Sequence, residues 1–391
     1  MRGVGAGTLP GHFSYAMKIL FISGPLYGHV NPMLSLALAA RRAGHDVVFA
    51  TARDMTPHVQ RFGLAVWPVG LTHAEAGGSQ HGAWLNYFAQ AAVARAAELV
   101  PQASAWRPDL VVHEETELAG PVVAAVCGAR HAVHGLGLAP SMKIWPPFVD
   151  AVMRVGEPWI AATDLQHRLS LATYLRLSPH ALQPEMPPSW RRVLPLRPVM
   201  APPGARDRLP FDLNVLPFVQ SIHLTLGTVF THGTAVLREA LKGLRELGCN
   251  VIVAVGPDGD PDAFGPQPMH VRIERYVPHA LLLPRCRLVV SQGGAGVMFG
   301  ALSLGLPQLA LPQGADQFAN AEALARSGAG EMLSGAEVSA ARIAACASRL
   351  LADTRFTDAA RTIQAELAAM PDADAVLREL TAVQPQHALS S

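Results

Sequence analysis

The chain has 391 residues, of which 50% are hydrophobic and 16% charged, and its formal net charge is +1. This apolar content is enough for two domains of nearly equal length, each with its own core. A net charge near zero provides no basic field for nucleic acid and no polybasic patch for a lipid surface. We therefore expect small molecules as the partners.

Cysteine usage and the longest apolar stretch indicate a cytoplasmic protein without a membrane span. Four cysteines lack metal-ligand or CxxC spacing, which is typical of reduced, buried thiols: Cys127, Cys249, Cys286 and Cys346. Residues 297–312 are apolar but interrupted by Gly, Ser, Gln and Pro, so they predict a helix and a strand. Residues 1–16 lack the apolar centre of a signal peptide, and Met17 is a candidate start beside Met1. The sequence is compatible with a homodimer but does not specify one.

Strand-like and helix-like segments alternate from Met17 onward, which predicts a parallel sheet covered by helices. Residues 18–23 are the first predicted strand. Asn31 and Pro32 are predicted to open the first helix, because Asn can accept from free N–H groups and Pro loses nothing at a first helical position. Gly44 is predicted to end it. The other predicted elements of this half are strands at 45–50 and 110–113 and helices within 71–105 and 148–180.

A proline-rich stretch, residues 184–217, is predicted to be an extended linker. A second α/β series follows it, with predicted strands at 221–226 and 250–255 and a helix at 235–247. We place the first domain at residues 17–200, the linker at 201–216 and the second domain at 217–380.

Residues 291–320, SQGGAGVMFGALSLGLPQLALPQGADQFAN, are the most informative stretch. A predicted strand at 288–291 leads into a glycine-rich turn, a helix and a second strand that ends at Pro312. Gly293, Gly294 and Gly296 allow the backbone to approach a ligand closely, and the helix offers free N–H groups to an anion. The stretch therefore predicts a pyrophosphate site.

This segment resembles the donor-sugar-nucleotide signature of family 1 glycosyltransferases, especially the bacterial enzymes that decorate antibiotics and other natural products. Two positions differ from the family pattern, since Gln292 stands where His is usual and Val297 where Ser or Thr is usual. The resemblance implies an α/β GT-B fold over Met17 to about Leu380, with two doubly wound Rossmann-like domains facing across a cleft. It also implies that a helix near the C-terminus crosses back onto the first domain.

The same resemblance identifies residues for the donor. It implies diphosphate contacts from Gln292, Gly293, Gly294, Ala295 and Gly296, and sugar hydroxyl contacts from Asp316 and Gln317. Thr228 follows LTLG at a predicted strand end, where it would contact a phosphate or cap an ordinary turn. Tyr276 and Val277, in the segment YVP, resemble the family segment whose backbone meets the nucleotide base, and Tyr276 would pack on a pyrimidine.

His29, in the predicted loop after the first strand, is the candidate catalytic base. A transfer that inverts the anomeric carbon needs a base of near-neutral pKa for the acceptor hydroxyl proton, and imidazole fits this need. The segment GHVNP matches the family's base position. The resemblance places an acid after the strand LVVH, where Glu114 would orient the imidazole. Glu115 and Glu117 remain alternatives, and a solvated loop carboxylate remains the structural interpretation of Glu114.

Aromatic side chains in the variable part of the first domain are candidates for an apolar acceptor cavity, although aromatics at such spacing also form ordinary cores. The acceptor candidates are Trp84, Phe88, Met142 and Trp145, with Tyr87 and Phe148 nearby. A metal is not expected, because Asp258-Gly259-Asp260 lies in a turn typical of solvated carboxylates, and His131 and His134, at helical spacing, lack a third ligand. The turns do not follow the dinucleotide fingerprint, so NAD is not expected.

We therefore predict an inverting glycosyltransferase that needs no cofactor or metal. Its donor would be a thymidine or uridine diphospho-sugar and its acceptor a hydroxyl of a hydrophobic, polyketide-type natural product. The departures at Gln292 and Val297 keep open an alternative, a glycosyltransferase-like protein that binds a ligand or partner with weak or no turnover.

Overall fold

The computed structural model describes residues 16–77, 84–140, 145–183, 190–204, 207–227, 234–256 and 259–382. Within these residues, a first sheet is formed by β1 (Lys18–Ile22), β2 (Asp46–Thr51), β3 (Ala65–Pro68), β4 (Leu110–Glu114), β5 (Arg130–His134), β6 (Thr173–Arg176) and β7 (Arg192–Pro195). A second sheet is formed by β8 (Ser221–Thr225), β9 (Asn250–Ala254), β10 (Val271–Glu274), β11 (Leu288–Ser291), β12 (Gln308–Ala310) and β13 (Gly330–Met332).

Every strand pair in both sheets is parallel, with orders β3-β2-β1-β4-β5-β6-β7 and β10-β9-β8-β11-β12-β13. Strand order reverses beside β1 in the first sheet and beside β8 in the second. Ligands of open parallel sheets bind beyond the carboxyl ends of the strands at such reversals. The predicted α/β fold with two doubly wound domains is confirmed, and the reversals locate a site on each domain.

Helices cover both sheets and connect successive strands. The helices of the first half are α1 (Tyr27–Arg42), α2 (Thr56–Gln60), α3 (Trp84–Trp106), α4 (Ala119–Cys127), α5 (Trp145–Gly156) and α6 (Ala162–Ser170). Those of the second half are α7 (Thr234–Leu244), α8 (His279–Leu282), α9 (Ala295–Leu302), α10 (Gln317–Arg326), α11 (Ala340–Ala352), α12 (Thr354–Ala369) and α13 (Ala373–Thr381). None of the helices in the described ranges is long and apolar enough to cross a bilayer.

Helix α1 begins at Tyr27 and not at Asn31, which corrects the predicted start. The carbonyl of Leu26 accepts from the N–H groups of His29 and Val30, both at 3.0 Å, so the turn winds before the proline. The Asn31 side chain does not cap the helix, because its Oδ1 lies 2.6 Å from Nε2 of His58. Pro32 lies inside α1, where its ring costs only one hydrogen bond near the helix start. His29 is therefore held in a first helical turn and not in a loop.

The predicted linker contains a strand, which is a second correction. β7 pairs with β6 at the edge of the first sheet, and Pro195 is its last residue. An edge strand has one side without partners, so a residue that lacks an N–H is tolerated there. The proline content of this stretch therefore concealed a strand instead of excluding one.

The C-terminal helices pack on the first domain. Side chains of α12 and α13, among them Ile363, Leu367 and Leu377, share one buried core with Val30 and Leu34 of α1. Nη1 of Arg130 on β5 donates to the Leu380 carbonyl at 2.8 Å. The same core includes Met298 and Phe299 of α9, so it runs from one domain to the other. α1 and α9 therefore pack against each other across the boundary between the two domains.

Candidate active site

His29 contacts Glu114 directly. His29 lies in the first turn of α1, which follows β1, and Glu114 is the last residue of β4. Because β1 and β4 are neighbouring parallel strands, both residues lie at the same edge of the first sheet. Nδ1 of His29 lies 3.0 Å from Oε1 of Glu114. Because an ionised carboxylate only accepts, Nδ1 carries the proton and Nε2 is left as the basic nitrogen. The His29 side chain is 15% exposed and that of Glu114 is 0% exposed.

Glu114 is a buried strand-end residue and not a solvated loop carboxylate. The Gly24 N–H donates to its Oε1 at 3.3 Å, and the Thr116 N–H and hydroxyl donate to its Oε2 at 2.6 and 2.7 Å. Donors on both oxygens fix the carboxylate, and the carboxylate fixes the imidazole.

The electrostatics of the pair favour a protonatable imidazole. Burial lowers the pKa of His29, but the charge and hydrogen bond of Glu114 outweigh burial, and the net pKa is raised above 6.5. Burial would raise the pKa of Glu114, yet His29 and Thr116 lower it to about 2. The carboxylate is therefore ionised at all working pH values, and an imidazolium formed beside it is stabilised.

The two rival carboxylates have other partners. Glu115 accepts from the Tyr174 hydroxyl at 2.7 Å and from the Leu136 N–H at 3.3 Å, and burial raises its pKa to about 8. Glu117 accepts from Arg95 Nη1 and forms a buried ion pair with it. Only Glu114 of the three carboxylates hydrogen-bonds to His29 in the described part of the chain.

The glycine-rich turn on the second domain has the geometry of an anion site. Gly293 has a φ of +82°, and Gly294 is the N-cap of α9 without a side-chain cap. The first N–H groups of α9 are therefore not occupied by a capping side chain, and with the positive end of the helix dipole they can bind an anion. Ser291 accepts from the Gly293 N–H at 3.1 Å and holds the turn closed.

Gln292 lies against this turn from the side. Its side chain is enclosed by two glycines, because an added Cβ on Gly227 would come within 2.2 Å of its Nε2 and one on Gly294 within 2.8 Å. The residue is 8% exposed, and its buried Oε1 has no hydrogen-bond partner in the described chain. The carboxamide thus occupies the space between the ends of β8 and β11, next to the anion site.

Asp316 links the donor side to the catalytic pair. It precedes α10, and its Oδ2 accepts from Nδ2 of Asn320 at 2.8 Å. The surrounding protein desolvates this carboxylate and raises its pKa, while its charge in turn helps to raise the pKa of His29. Asp316 lies close to Gly137 of the first domain, where an added Cβ would be 3.6 Å from Oδ2. The two domains therefore meet beside the anion site.

The remaining donor candidates differ in what they can offer a ligand. The side-chain Oε1 of Gln317 accepts from the N–H groups of Gln313 and Gly314 at 2.8 and 3.2 Å, so this oxygen is already bonded within the turn. Val277 is 1% exposed and can offer only its backbone, whereas Tyr276 is 57% exposed. Gly296 lies in open space, and Ala295 packs toward Gly137. Thr228 lies outside the described residues.

Two of the acceptor candidates lie beside the base. Phe88 is 5.8 Å from His29 and 6.1 Å from Trp84 between ring centroids, and Phe148 is 6.2 Å from Phe88. Trp145 instead packs on Trp190, with their ring centroids 4.7 Å apart. Met142 lies outside the described residues.

A small pocket lies between α3 and the start of α1, lined by Leu26, His29, Tyr87, Phe88, Ala91, Arg95, Thr116 and Glu117, with the turn at Gly24 and Pro25.

Three residues of the site had no place in the sequence prediction: Thr116, Arg95 and Asn320. Thr116, two residues beyond the acid, is the kind of local hydroxyl that bonds a nearby carboxylate, so its spacing was a usable signal. Arg95 and Asn320 lie within helices and gave no local signal. His131 and His134 both lie on β5; His131 contacts His113, and His134 contacts the Gly135 carbonyl. Among the described residues, no group of three or more His, Cys, Asp or Glu is arranged to hold a metal.

Comparison with known proteins identifies the family. Residues 78–192 match the N-terminal domain, and residues 238–383 the C-terminal domain, of the erythromycin biosynthesis protein CIII-like family. The chain is 32% identical to L-demethylnoviosyl transferase of Streptomyces niveus over 94% of this chain and 98% of that protein. It is 29% identical to TDP-daunosamine transferase DnrS of Streptomyces peucetius over 95% of this chain and 98% of that protein.

A solved structure gives the same answer. The structure titled spinosyn rhamnosyltransferase SpnG complexed with thymidine diphosphate matches with a TM-score of 0.77 at 26% identity, over 94% of this chain and all of that one (100%). The predicted GT-B fold and glycosyltransferase activity are confirmed by these relatives. The chain therefore belongs to the family 1 glycosyltransferases of the GT-B fold, in the erythromycin biosynthesis protein CIII-like group of antibiotic-biosynthesis enzymes.

Proposed function

We propose that this glycosyltransferase moves a deoxysugar from a thymidine diphosphate donor to a hydroxyl of a hydrophobic polyketide-type acceptor, with inversion of the anomeric carbon. The observation that carries the proposal is the His29–Glu114 pair, whose imidazole lines a small pocket on one domain, together with the uncapped N-terminus of α9 on the other domain. A base and an anion site on opposite walls of a cleft fit a displacement in which the nucleophile and leaving group lie on opposite sides.

In the proposed reaction, Nε2 of His29 takes the proton from the acceptor hydroxyl. The oxygen bonds to the anomeric carbon, and the bond from that carbon to the diphosphate oxygen breaks, with its electron pair leaving on the diphosphate. The imidazolium formed is paired with Glu114, which stays ionised because its pKa is about 2. A general base of this kind contributes about 10²- to 10⁴-fold to the rate.

The leaving diphosphate is held in this proposal by the turn at residues 293–296 and by the Nε2 donor of Gln292. Hydrogen bonds to a charged group contribute about 1.5–3 kcal/mol each, so a few amides suffice without a histidine at position 292. Asp316, next to α10 and close enough to influence His29, receives the sugar hydroxyls. Tyr276, which is more than half exposed, packs on the pyrimidine in this proposal.

Thymidine is favoured over uridine by the relatives. One is named for a TDP-sugar, and a structural neighbour is described as complexed with thymidine diphosphate. The pocket beside His29 combines Leu26, Tyr87 and Phe88 with the polar side chains of Thr116, Arg95 and Glu117, which suits an apolar aglycone that carries oxygen substituents.

The test is a matrix of nucleotide sugars and hydroxylated polyketide aglycones, with products detected by mass and the anomeric configuration assigned by NMR coupling constants. We expect transfer from TDP-deoxysugars with the anomeric configuration opposite to that of the donor, unchanged by a metal chelator. A product that keeps the donor's configuration would contradict the base role of His29. Preference for UDP-sugars would contradict the donor assignment alone.

A further inference from the structure

A buried ion pair borders the pocket beside the base and has no role in the reaction proposed above. Arg95 of α3 is 1% exposed and is one of the largest fully buried side chains of the described chain. Its Nη1 donates to Oε2 of Glu117, which is 3% exposed. Both residues line the same pocket as His29 and Phe88.

The guanidinium of Arg95 is only partly satisfied. Its Nε and Nη2 are buried and have no hydrogen-bond partner among the described residues. Leaving buried donors unpaired is costly, and more so for a charged group, so a structure rarely leaves two on one side chain without a partner of another kind. The backbone makes room for this group, because Gly70 has a φ of +76° and an added Cβ there would lie 3.2 Å from Nε.

The other polar groups close to Arg95 are already committed. Oε1 of Glu117 accepts from the Ala119 N–H at 3.1 Å. The Tyr87 hydroxyl lies 2.8 Å from Nδ1 of His73. Thr116 donates to Glu114. Apart from Nε2 of His29, the polar capacity left for a ligand among these lining side chains is therefore that of the guanidinium, and it consists of donors.

We propose that Arg95 is a specificity-determining residue that binds an uncharged carbonyl oxygen on the ring system of the acceptor, such as that of a quinone or ketone. This rests on the proposed function, since it takes the pocket beside His29 as the acceptor site. The oxygen is uncharged because Glu117 already balances the guanidinium, and a carboxylate would add a second negative charge to a buried site that holds one positive charge. Aromatic walls with a fixed donor suit a flat, oxygenated aglycone.

Such a site discriminates strongly. An apolar pocket separates similar ligands weakly, whereas a site built to hydrogen-bond an oxygen rejects an analogue that lacks it, because its buried donors stay unpaired. A hydrogen bond to a charged group corresponds to roughly a 10- to 100-fold difference in affinity.

The test is equilibrium binding and needs no turnover. The ligands are 2-hydroxyanthraquinone and 2-hydroxyanthracene, which share a ring skeleton and differ in the carbonyl oxygens, and they are titrated with thymidine diphosphate present. The variant is Arg95→Met with Glu117→Gln, which removes both charges together. We expect its affinity for the quinone to fall roughly 10- to 100-fold and that for the anthracene to change less than about 3-fold. The matched control, Arg342→Met with Glu337→Gln, removes an exposed pair of the second domain and should change neither.

An equal loss for both ligands, or no loss, would overturn the proposal. A loss confined to anthracene-2-carboxylate, used as a third ligand, would overturn the uncharged class. If the double variant does not fold, as judged by thymidine diphosphate binding, Arg95→Lys keeps the charge and removes Nε and Nη2, and it must show the same selective loss. Failure of the proposed function would appear as absent transfer in the donor and acceptor matrix, with the selectivity of binding intact.

Discussion

The two walls of the cleft are built in different ways. On the first domain, the functional groups are side chains. His29, Glu114 and Thr116 form one hydrogen-bonded group, and both carboxylate oxygens of Glu114 accept hydrogen bonds. On the second domain, the functional groups are backbone N–H groups of the turn at residues 293–296. This turn includes a positive φ at Gly293, a conformation that favours glycine. Chemistry needs a group that changes protonation, whereas diphosphate binding needs only fixed donors. Substitutions on the two walls should therefore affect different quantities.

The largest expected effect is at the base. His29→Ala should lower kcat by about 10²- to 10⁴-fold, because the variant lacks the imidazole that we propose takes the acceptor proton. Thymidine diphosphate affinity, measured by calorimetry, should change little, because the anion site is on the other domain. Unchanged turnover would remove His29 from the mechanism, and a large loss of nucleotide affinity would mean that the two walls are not independent.

The next effect is on the pH profile. The neutral imidazole is the active form, and Glu114 holds the pKa of His29 above 6.5, so kcat/KM should fall as the pH drops through that raised pKa. Glu114→Gln removes the charge that raises the pKa and leaves the burial that lowers it. The acidic limb should then move to lower pH, and the maximum rate should fall by about tenfold, since the imidazolium loses its partner.

Glu115→Gln is the matched control for this profile. Glu115 does not contact His29 and is largely protonated below its pKa of about 8, so its replacement should leave the acidic limb nearly in place. If Glu115→Gln moved the limb and Glu114→Gln did not, the assignment of the orienting carboxylate would be wrong by one residue.

The smallest expected effect is on the backbone wall. Gly227→Ala places a Cβ at 2.2 Å from Nε2 of Gln292, and Gly227 has a φ of +80°. Thymidine diphosphate binding should weaken by about tenfold, because Gln292 must leave the anion site and hydrogen bonds to a charged group contribute about 1.5–3 kcal/mol. Gly248→Ala is matched in backbone strain, with a φ of +64°, but has nothing within 4 Å. It should lower the melting temperature in a similar way without changing nucleotide affinity, and equal nucleotide losses in both would show that strain, not Gln292, is responsible.

Sequence reasoning succeeded where the signal is local. The strand at 288–291 was predicted with its observed bounds, and Gly44, with a φ of +84°, follows the end of α1 as predicted. It failed where a local signal conflicted with packing. Asn31-Pro32 has the form of a helix start, but Asn31 pairs with His58 and the helix begins four residues earlier. The proline content around β7 likewise indicated a linker, although an edge strand tolerates proline.

The sequence by itself determined that two parallel α/β domains form and that a glycine-rich turn opens a helix for an anion, because hydrophobic periodicity and glycine placement act over a few residues. It also supplied His29 and a run of three glutamates within four positions. Only the tertiary structure decided which glutamate serves the imidazole. Glu114, Glu115 and Glu117 have the same chemistry, but each has a different partner. Glu114 contacts His29 of α1, Glu115 contacts Tyr174 of β6, and Glu117 contacts Arg95 of α3. That selection depends on contacts across 22 to 85 positions of sequence, which no local pattern encodes.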